Sequence, residues 1–262
     1  MRINNTFWGG IIILAGLVFL LDALNVIAVN VWGVFWSVAL IAVGVWFLSW
    51  ALGYRREDET ETVSVPLEGA EAARIVIRHG AGRLSVEGGA GEEEVLSGTT
   101  RGGFEFRKRF TNGKLNVDVH APGRMYMVLP FVQPLIWSLK LNGQVPLELE
   151  IRGGANETKL DLSQLKVTDL QVRTGASDTI LTLPAQADHT RAEVHCGVAS
   201  VRINIPETVA ARIRASGGLS NISIDRNRFP RSDGYYQSPE YDSSEHKADL
   251  YLSMGVGSVT VS

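Results

Sequence analysis

LQVRTGASDTILTLP, residues 170–184, returns 22 residues further on as AEVHCGVASVRINIP, residues 192–206. In both stretches apolar side chains take every second position on either side of a glycine, and both close on a proline. A period of two belongs to a strand with one buried face, and it excludes a helix, whose apolar positions recur every three to four residues. Laid on their glycines, further segments repeat the pattern, with anchors at Gly80, Gly154, Gly175, Gly197, Gly218 and Gly255. Five and three residues before the anchors stand Ile75 and Ile77, Leu149 and Ile151, Leu170 and Val172, Ala192 and Val194, Ile213 and Ala215, Leu250 and Leu252. Four and six residues after them stand Leu84 and Val86, Thr158 and Leu160, Thr179 and Leu181, Val201 and Ile203, Ile222 and Ile224, Val259 and Val261. Only two threonines break the apolar rule.

The central anchors are separated by 21, 22 and 21 residues. Self-similarity at such a period signals stacked coils, none of which can enclose a core alone. The expected body is therefore a β-solenoid-like repeat of about 21 residues per coil, with inward residues forming aliphatic ladders from coil to coil. Glycine at each corner supplies either a special backbone conformation or a close approach that a side chain would obstruct. Pro184 and Pro206 end their strands where a missing amide donor is tolerated. Two insertions interrupt the rhythm. Residues 226–247, RNRFPRSDGYYQSPEYDSSEHK, read as a polar surface loop, and residues 87–146 contain a strand pair around TNGK, a tight-hairpin signal.

Ahead of the repeats the composition changes. The chain has 262 residues, 45% of them apolar, and 25 basic against 28 acidic side chains for a net charge of −3, which gives no overall field for holding nucleic acid. Within residues 1–52 the only charged side chains are Arg2 and Asp22. FWGGIIILAGLVFLLDALNVIAV (7–29) and VWGVFWSVALIAVGVWFLSWAL (31–52) are each long enough to cross a bilayer, for which roughly 20 apolar residues suffice. Asp22 lies near the end of its span, at headgroup depth, and tryptophans cluster towards the span ends. Residues 1–53 are therefore read as a two-helix transmembrane hairpin. A cleaved signal peptide over residues 1–28 is the competing reading, opposed by the absence of a small-residue cleavage site and by the second span. Arg2, Arg55 and Arg56 flank the hairpin and its turn has no basic residue, which places both termini in the cytoplasm. Gly33, Ser37 and Gly44 offer small residues for helix packing, either within the hairpin or against another protein. Residues 54–66 read as a polar tether, leaving residues 67–262 as the β domain.

Two tracts are candidates for contact. Arg107, Lys108, Arg109 and Lys114 crowd beside Phe106 and Phe110, either as the solvated face of a strand or as a contact for anionic lipid headgroups. MYMVLPFVQPLIWSLKL, 125–141, holds Phe131, Leu135, Ile136 and Trp137; its prolines argue against a third span, leaving a lid over the open end of the stack or an exposed patch for a partner or bilayer. The five histidines form no HExxH pair, and there is no GxSxG elbow, phosphate loop or CxxC motif. His195 and Cys196 adjoin in a strand and point to opposite faces, so they do not share a metal. No catalytic residue and no cofactor are expected.

The membrane hairpin, GGIIILAGLVFLLDALNV followed by VFWSVALIAVGVWFL, together with LELEIRGGANETKLDLSQLKVTDLQVRTGASDTILTLP, resembles LiaF-type bacterial cell-envelope-stress proteins, and the β domain resembles their toast-rack, adhesin-like domain. The resemblance implies a regulator of the bacterial inner membrane, without enzymatic activity, that contacts a membrane histidine kinase or phage-shock-type partners. It carries over no catalytic residues, and this chain has two spans where several relatives have four. A self-assembling, bactofilin-like scaffold that homo-oligomerises through an uncapped coil end and an outward-facing adhesin-like module are the other readings.

Overall fold

The structure, a computed structural model, describes residues 36–37, 40–46, 60–122 and 134–262. The chain divides into two compact units, Met1–Glu57 and Asp58–Ser262. In the first, residues 36–37 and 40–46 are helical and expose apolar side chains, among them Trp36, Leu40, Ile41 and Trp46. Among the described residues no helix is long and apolar enough to cross a membrane. Most of the expected hairpin, with Asp22 and Gly33, lies outside the described residues.

The second unit is built of strands. Its centre is a stack of six long ones, β2 (Ala72–Gly88), β7 (Leu147–Asp161), β8 (Val167–Thr182), β9 (His189–Asn204), β10 (Ala210–Ile224) and β13 (Lys247–Val261). Each carries its anchor glycine in the middle, so it has a first arm before the corner and a second arm after it. All are parallel, and the register sets equivalent residues side by side. On the first arm Ile77, Ile151, Val172, Val194, Leu252 and Ala215 form one ladder; on the second, Val86, Leu160, Leu181, Ile203, Val261 and Ile224 form another. The ladder residues are buried, apart from a partly buried Ala215, as are the two threonines, Thr158 and Thr179. The returns between coils close a third side with Leu162, Leu165, Leu183 and Ile205, whose backbones continue the ladder through Leu162 N to Thr182 O, Leu183 N to Asn204 O and Ile205 N to Ser262 O at 2.9–3.1 Å.

The corners explain the glycines. A Cβ on Gly154 would lie 2.8 Å from the carbonyl oxygen of Gly80; on Gly175, 3.0 Å from that of Gly154; on Gly197, 2.7 Å from that of Gly175. Gly255 repeats this against Gly197 at 2.7 Å, and Gly218 against Gly255 at 3.0 Å. None of these anchors has a left-handed φ. Close stacking of backbone on backbone therefore requires the residue type.

The stack departs from the expected order in four places. First, β13 does not lie at the end: the order is β2-β7-β8-β9-β13-β10, so the C-terminal strand enters between the fourth and fifth repeats of the sequence. All repeats carry the same period-two pattern and corner glycine, so the pattern is indifferent to their order, and the long excursion before β13 provides chain enough to pass over β10.

Second, the segment read as an insertion at 87–146 supplies a coil of its own. β5 (Lys114–His120) runs parallel along the first arm of β2 and β6 (Leu135–Leu141) parallel along the second. Fourteen residues of sequence, 121–134, lie between its two arms, and this spacing hides it from a glycine-anchored alignment. β4 (Glu105–Thr111) closes on β5, β3 (Glu94–Arg101) on β6 and β1 (Glu61–Pro66) on β3, all antiparallel. The β4–β5 turn has Asn112 at φ 49° and Gly113 at φ 75°, the two positive values a tight primed hairpin turn needs.

Third, the folded domain begins inside the expected tether, because Val65 of β1 is fully buried against the core. Fourth, residues 226–247 are not a free surface loop. Phe229 is fully buried; Arg228 donates to the carbonyls of Ile205, Pro206 and Val209; and Ser238 closes on Ala211, accepting from its N–H at 3.0 Å and donating its own to the Ala211 carbonyl at 2.9 Å. A few apolar side chains within a polar sequence, with carbonyls left over at the coil returns, suffice to bind the excursion as a cap. It carries the short strands β11 (Arg231–Ser232) and β12 (Tyr235–Gln237), of which β12 pairs with the first arm of β10.

Trp137 fills the core beneath the added coil. It is fully buried, its Nε1–H donates to the Gly103 carbonyl at 3.2 Å, and its ring meets His79 and Phe104 edge-on at 5.2 and 5.4 Å. His79, 2% exposed, has its pKa pushed down to about 4 by burial, which the Leu135 backbone opposes only in part. The folded protein therefore keeps this ring neutral between about pH 6.5 and 4, while the unfolded chain takes up a proton there. Because the unfolded state binds more protons in that window, the His79 contribution is complete above it and lost as pH falls through it, by at most about 3 kcal/mol. The urea midpoint should drop on going from neutral pH to near pH 5, and His79→Gln should remove part of that drop; an identical pH dependence in the variant would exclude His79 as a cause.

Candidate functional site

Side chains that alternate with the buried ladders form the outer face of the first arms. Two residues before each corner, Arg78, Arg152, Arg173 and His195 stand on successive strands. At one end of this row the face hollows into a groove of about 920 Å³, lined by Arg74, Arg78 and Arg152 from the stack and by Arg107 and Arg109 from β4. Two carboxylates orient three of these guanidinium groups. Asp118 pairs with Arg78 at 2.8 Å. Glu150, with its side chain only 8% exposed, accepts from Arg152 Nε at 2.6 Å and from Arg74 at 3.2 Å. Burial disfavours the Glu150 charge, but the hydrogen bonds and charges of Arg152 and Arg74 together outweigh it and hold the carboxyl below its usual range. Arg107 and Arg109 have no carboxylate within salt-bridge range among the described residues.

The structure separates the four cations that the sequence sets together. Arg107 and Arg109 face the groove. Lys108 falls on the other face of β4, beside Phe106 and Phe110, and is ion-paired with Glu68; Lys114 is held by Glu148 at 2.6 Å. Leu135 and Trp137 are fully buried on the inner side of β6, so neither belongs to an exposed patch, and Ile136 between them is half-buried on the outer side. They form a coil wall, the apolar alternation having a strand's period. Phe131 lies outside the described residues. Ser37 and Gly44 fall on the described helical residues, and no described atom comes within 4 Å of a Cβ built on Gly44. Arg74, Arg78 and Arg152 were missed from the sequence, although the glycine alignment already puts Arg78 and Arg152 at one position, two before the corner.

Other chemistry is scarce. Cys196 is buried, Thr174 Oγ1 donates to its sulfur at 3.2 Å, and burial pushes the thiol pKa up, the environment of an inert thiol. His195 points outward from the same strand. Among the described residues no group of three or more His, Cys, Asp or Glu side chains is arranged to hold a metal ion.

The fold and the N-terminal segment together define a membrane-associated protein with a stacked-coil β domain. Residues 54–204 match the N-terminal domain of toast_rack, DUF2154, and the chain belongs to that family. Residues 6–48 match the LiaI-LiaF-like transmembrane region. The β domain is similar to the crystal structure of a candidate cell adhesion protein from Clostridium sporogenes, at 20% identity and a TM-score of 0.70, over 78% of this chain and 98% of that one. That neighbour consists of this fold almost alone, as expected of a unit with its own core. A candidate adhesin from Bacteroides fragilis aligns over 78% of this chain and 96% of its own at 9% identity and a TM-score of only 0.29. No curated protein matches the chain.

Proposed function

We propose that the protein is a non-enzymatic regulator or scaffold of bacterial envelope-stress signalling, anchored in the cytoplasmic membrane by a two-helix hairpin with both termini in the cytoplasm. It acts through protein contacts of the β domain, with a membrane histidine kinase or a phage-shock-type membrane protein as partner. The observation that carries this reading is the union, in one chain, of a LiaI-LiaF-like membrane segment with a rigid toast_rack domain whose inward positions are given over to packing. Crosslinking of the full chain in native membranes, followed by identification of what is captured, tests it. A kinase or phage-shock-type protein is the expected product, and a capture set free of signalling proteins overturns the reading. A reporter fused after Ser262 should be active on the cytoplasmic side; activity outside favours an adhesin-like module.

A self-assembling scaffold is the second reading, and one feature favours it. The second arm of β10 pairs with β13 alone among the described residues, and from Ser216 to Ile224 it carries neither charge nor proline to block a further strand. Leu219, 82% exposed, stands there beside exposed Val256 and Val198 on the next two strands. The opposite end is guarded by Pro66 on β1 and by Arg107, Lys108 and Arg109 on β4. Residues 58–262 should therefore sediment as a species larger than the monomer that Leu219→Lys returns to monomer; a wild-type monomer at all concentrations removes this reading.

A further inference from the structure

We infer that the arginine groove on the outer face of β4, β5, β2 and β7 binds the phosphate groups of anionic phospholipids, so that the β domain docks on the bilayer surface beside its own anchor. This rests on the membrane association of the chain and is independent of the signalling role.

Five guanidinium groups against two carboxylates leave the groove with three uncompensated positive charges. Asp118 and Glu150 hold Arg78, Arg74 and Arg152 in place, and Arg107 and Arg109 add cations from the neighbouring edge strand. The guanidinium fork suits phosphate oxygens, and donors fixed in advance lose less freedom on binding than mobile ones. The excess is local. On the next strands Arg74 is continued by Glu148, Asp169, Arg191 and Asp249, and Glu150 by Gln171 and Glu193. Only the row of Arg78 and Arg152 runs on, to Arg173 and then His195, so the cluster of five arginines covers four strands, about 15–20 Å, which is the width of a few headgroups.

Two features select a lipid over a soluble phosphate. Phe106 and Phe110, 39% and 48% exposed, alternate with the arginines along β4, so one strand offers cations on one side and aromatic rings on the other. That combination suits an interface with anionic headgroups above an apolar layer. In addition, only residues 49–59 separate the membrane segment from the first described residue of the β domain, a contour of at most about 40 Å. A tether of that contour keeps the β domain within reach of a bilayer surface, which raises the effective concentration of lipid for any site on it.

The test is co-sedimentation of residues 58–262 with vesicles of phosphatidylglycerol mixed with phosphatidylcholine, and with vesicles of phosphatidylcholine alone. Binding is expected to the mixed vesicles only, to weaken as salt rises, and to fall about 30-fold in R107Q/R109Q, at roughly 1 kcal/mol for each cation removed near the surface. Both arginines are exposed on an edge strand, and an unchanged near-ultraviolet circular dichroism spectrum confirms that the variant is folded. R226Q/R231Q removes the same charge from the cap at the far end of the stack and should bind as the wild type does. Equal losses in the two variants would reduce the effect to net charge and overturn the site. Absence of binding to the mixed vesicles, with or without protection of the groove by inorganic phosphate, would overturn the assignment to lipid.

Discussion

The double substitution Val201→Asp and Ile203→Asp unfolds the β domain. Both side chains point inward on the second arm of β9, 2% and 0% exposed, between Thr179 and Leu181 on one side and Val259 and Val261 on the other. Nothing there offers a cation, and the one hydroxyl beside Val201, Thr179 Oγ1, already donates to Ser177 Oγ at 3.2 Å, the other neighbouring rungs being aliphatic. Each carboxyl must enter either as an unpaired charge, at several kcal/mol, or as a neutral acid that still lacks hydrogen-bond partners. Two such sites on one strand match or exceed the roughly 5–15 kcal/mol by which a domain is stable at all. The expected result is loss of the strand circular dichroism signal and of any cooperative melt for residues 58–262. An unaltered melt would show that the second arms do not face a common core.

The second large effect is expected at a corner. In Gly197→Val the new Cβ falls 2.7 Å from the carbonyl oxygen of Gly175, and the carbonyl of Gly197 itself lies 2.7 Å from the position a Cβ would take on Gly255. Strand β9 is tied on both sides into parallel ladders, so it cannot retreat from one neighbour without straining against the other. Overpacking of this kind costs about 3 kcal/mol or more, a fall of about 10 °C in Tm for a domain of this size. Gly234→Ala provides the contrast. Gly234 lies in an exposed turn at φ 86° with nothing within 4 Å of a Cβ, so only backbone strain opposes the change, at about 1 kcal/mol. Equal melting temperatures for the two variants would mean that the corner ladder is not packed as described.

The groove illustrates how a site is assembled by register. Arg74, Arg107 and Arg152 are far apart in sequence and carry no motif, yet β5 sits between β4 and β2, and β2 lies against β7, so their side chains share one hollow. Lys108 and Lys114 stood out in the sequence because they are local to Arg107 and Arg109. Strand alternation turns Lys108 to the other face, and Glu148 takes Lys114. In a sheet protein, nearness along the chain is a poor guide to which charges meet. The better signal was already present in the glycine alignment, where Arg78, Arg152, Arg173 and His195 share a position.

Alternation on both sides of a repeated glycine by itself determined which residues face the core, that the strands are bent at those glycines and that the coils stack. These are consequences of strand periodicity and of the room a Cβ occupies, both of which are local. The apolar first fifty residues likewise determined membrane association, since a segment of that composition has no stable place in water. What only the tertiary structure decided was the order of the coils, with β13 between β9 and β10; the coil made from β5 and β6; the packed cap at 226–247; and the gathering of the arginines. Each depends on which strand edges meet, and edges pair through backbone groups that are the same in every residue, so the sequence pattern leaves that choice to the packing of the whole.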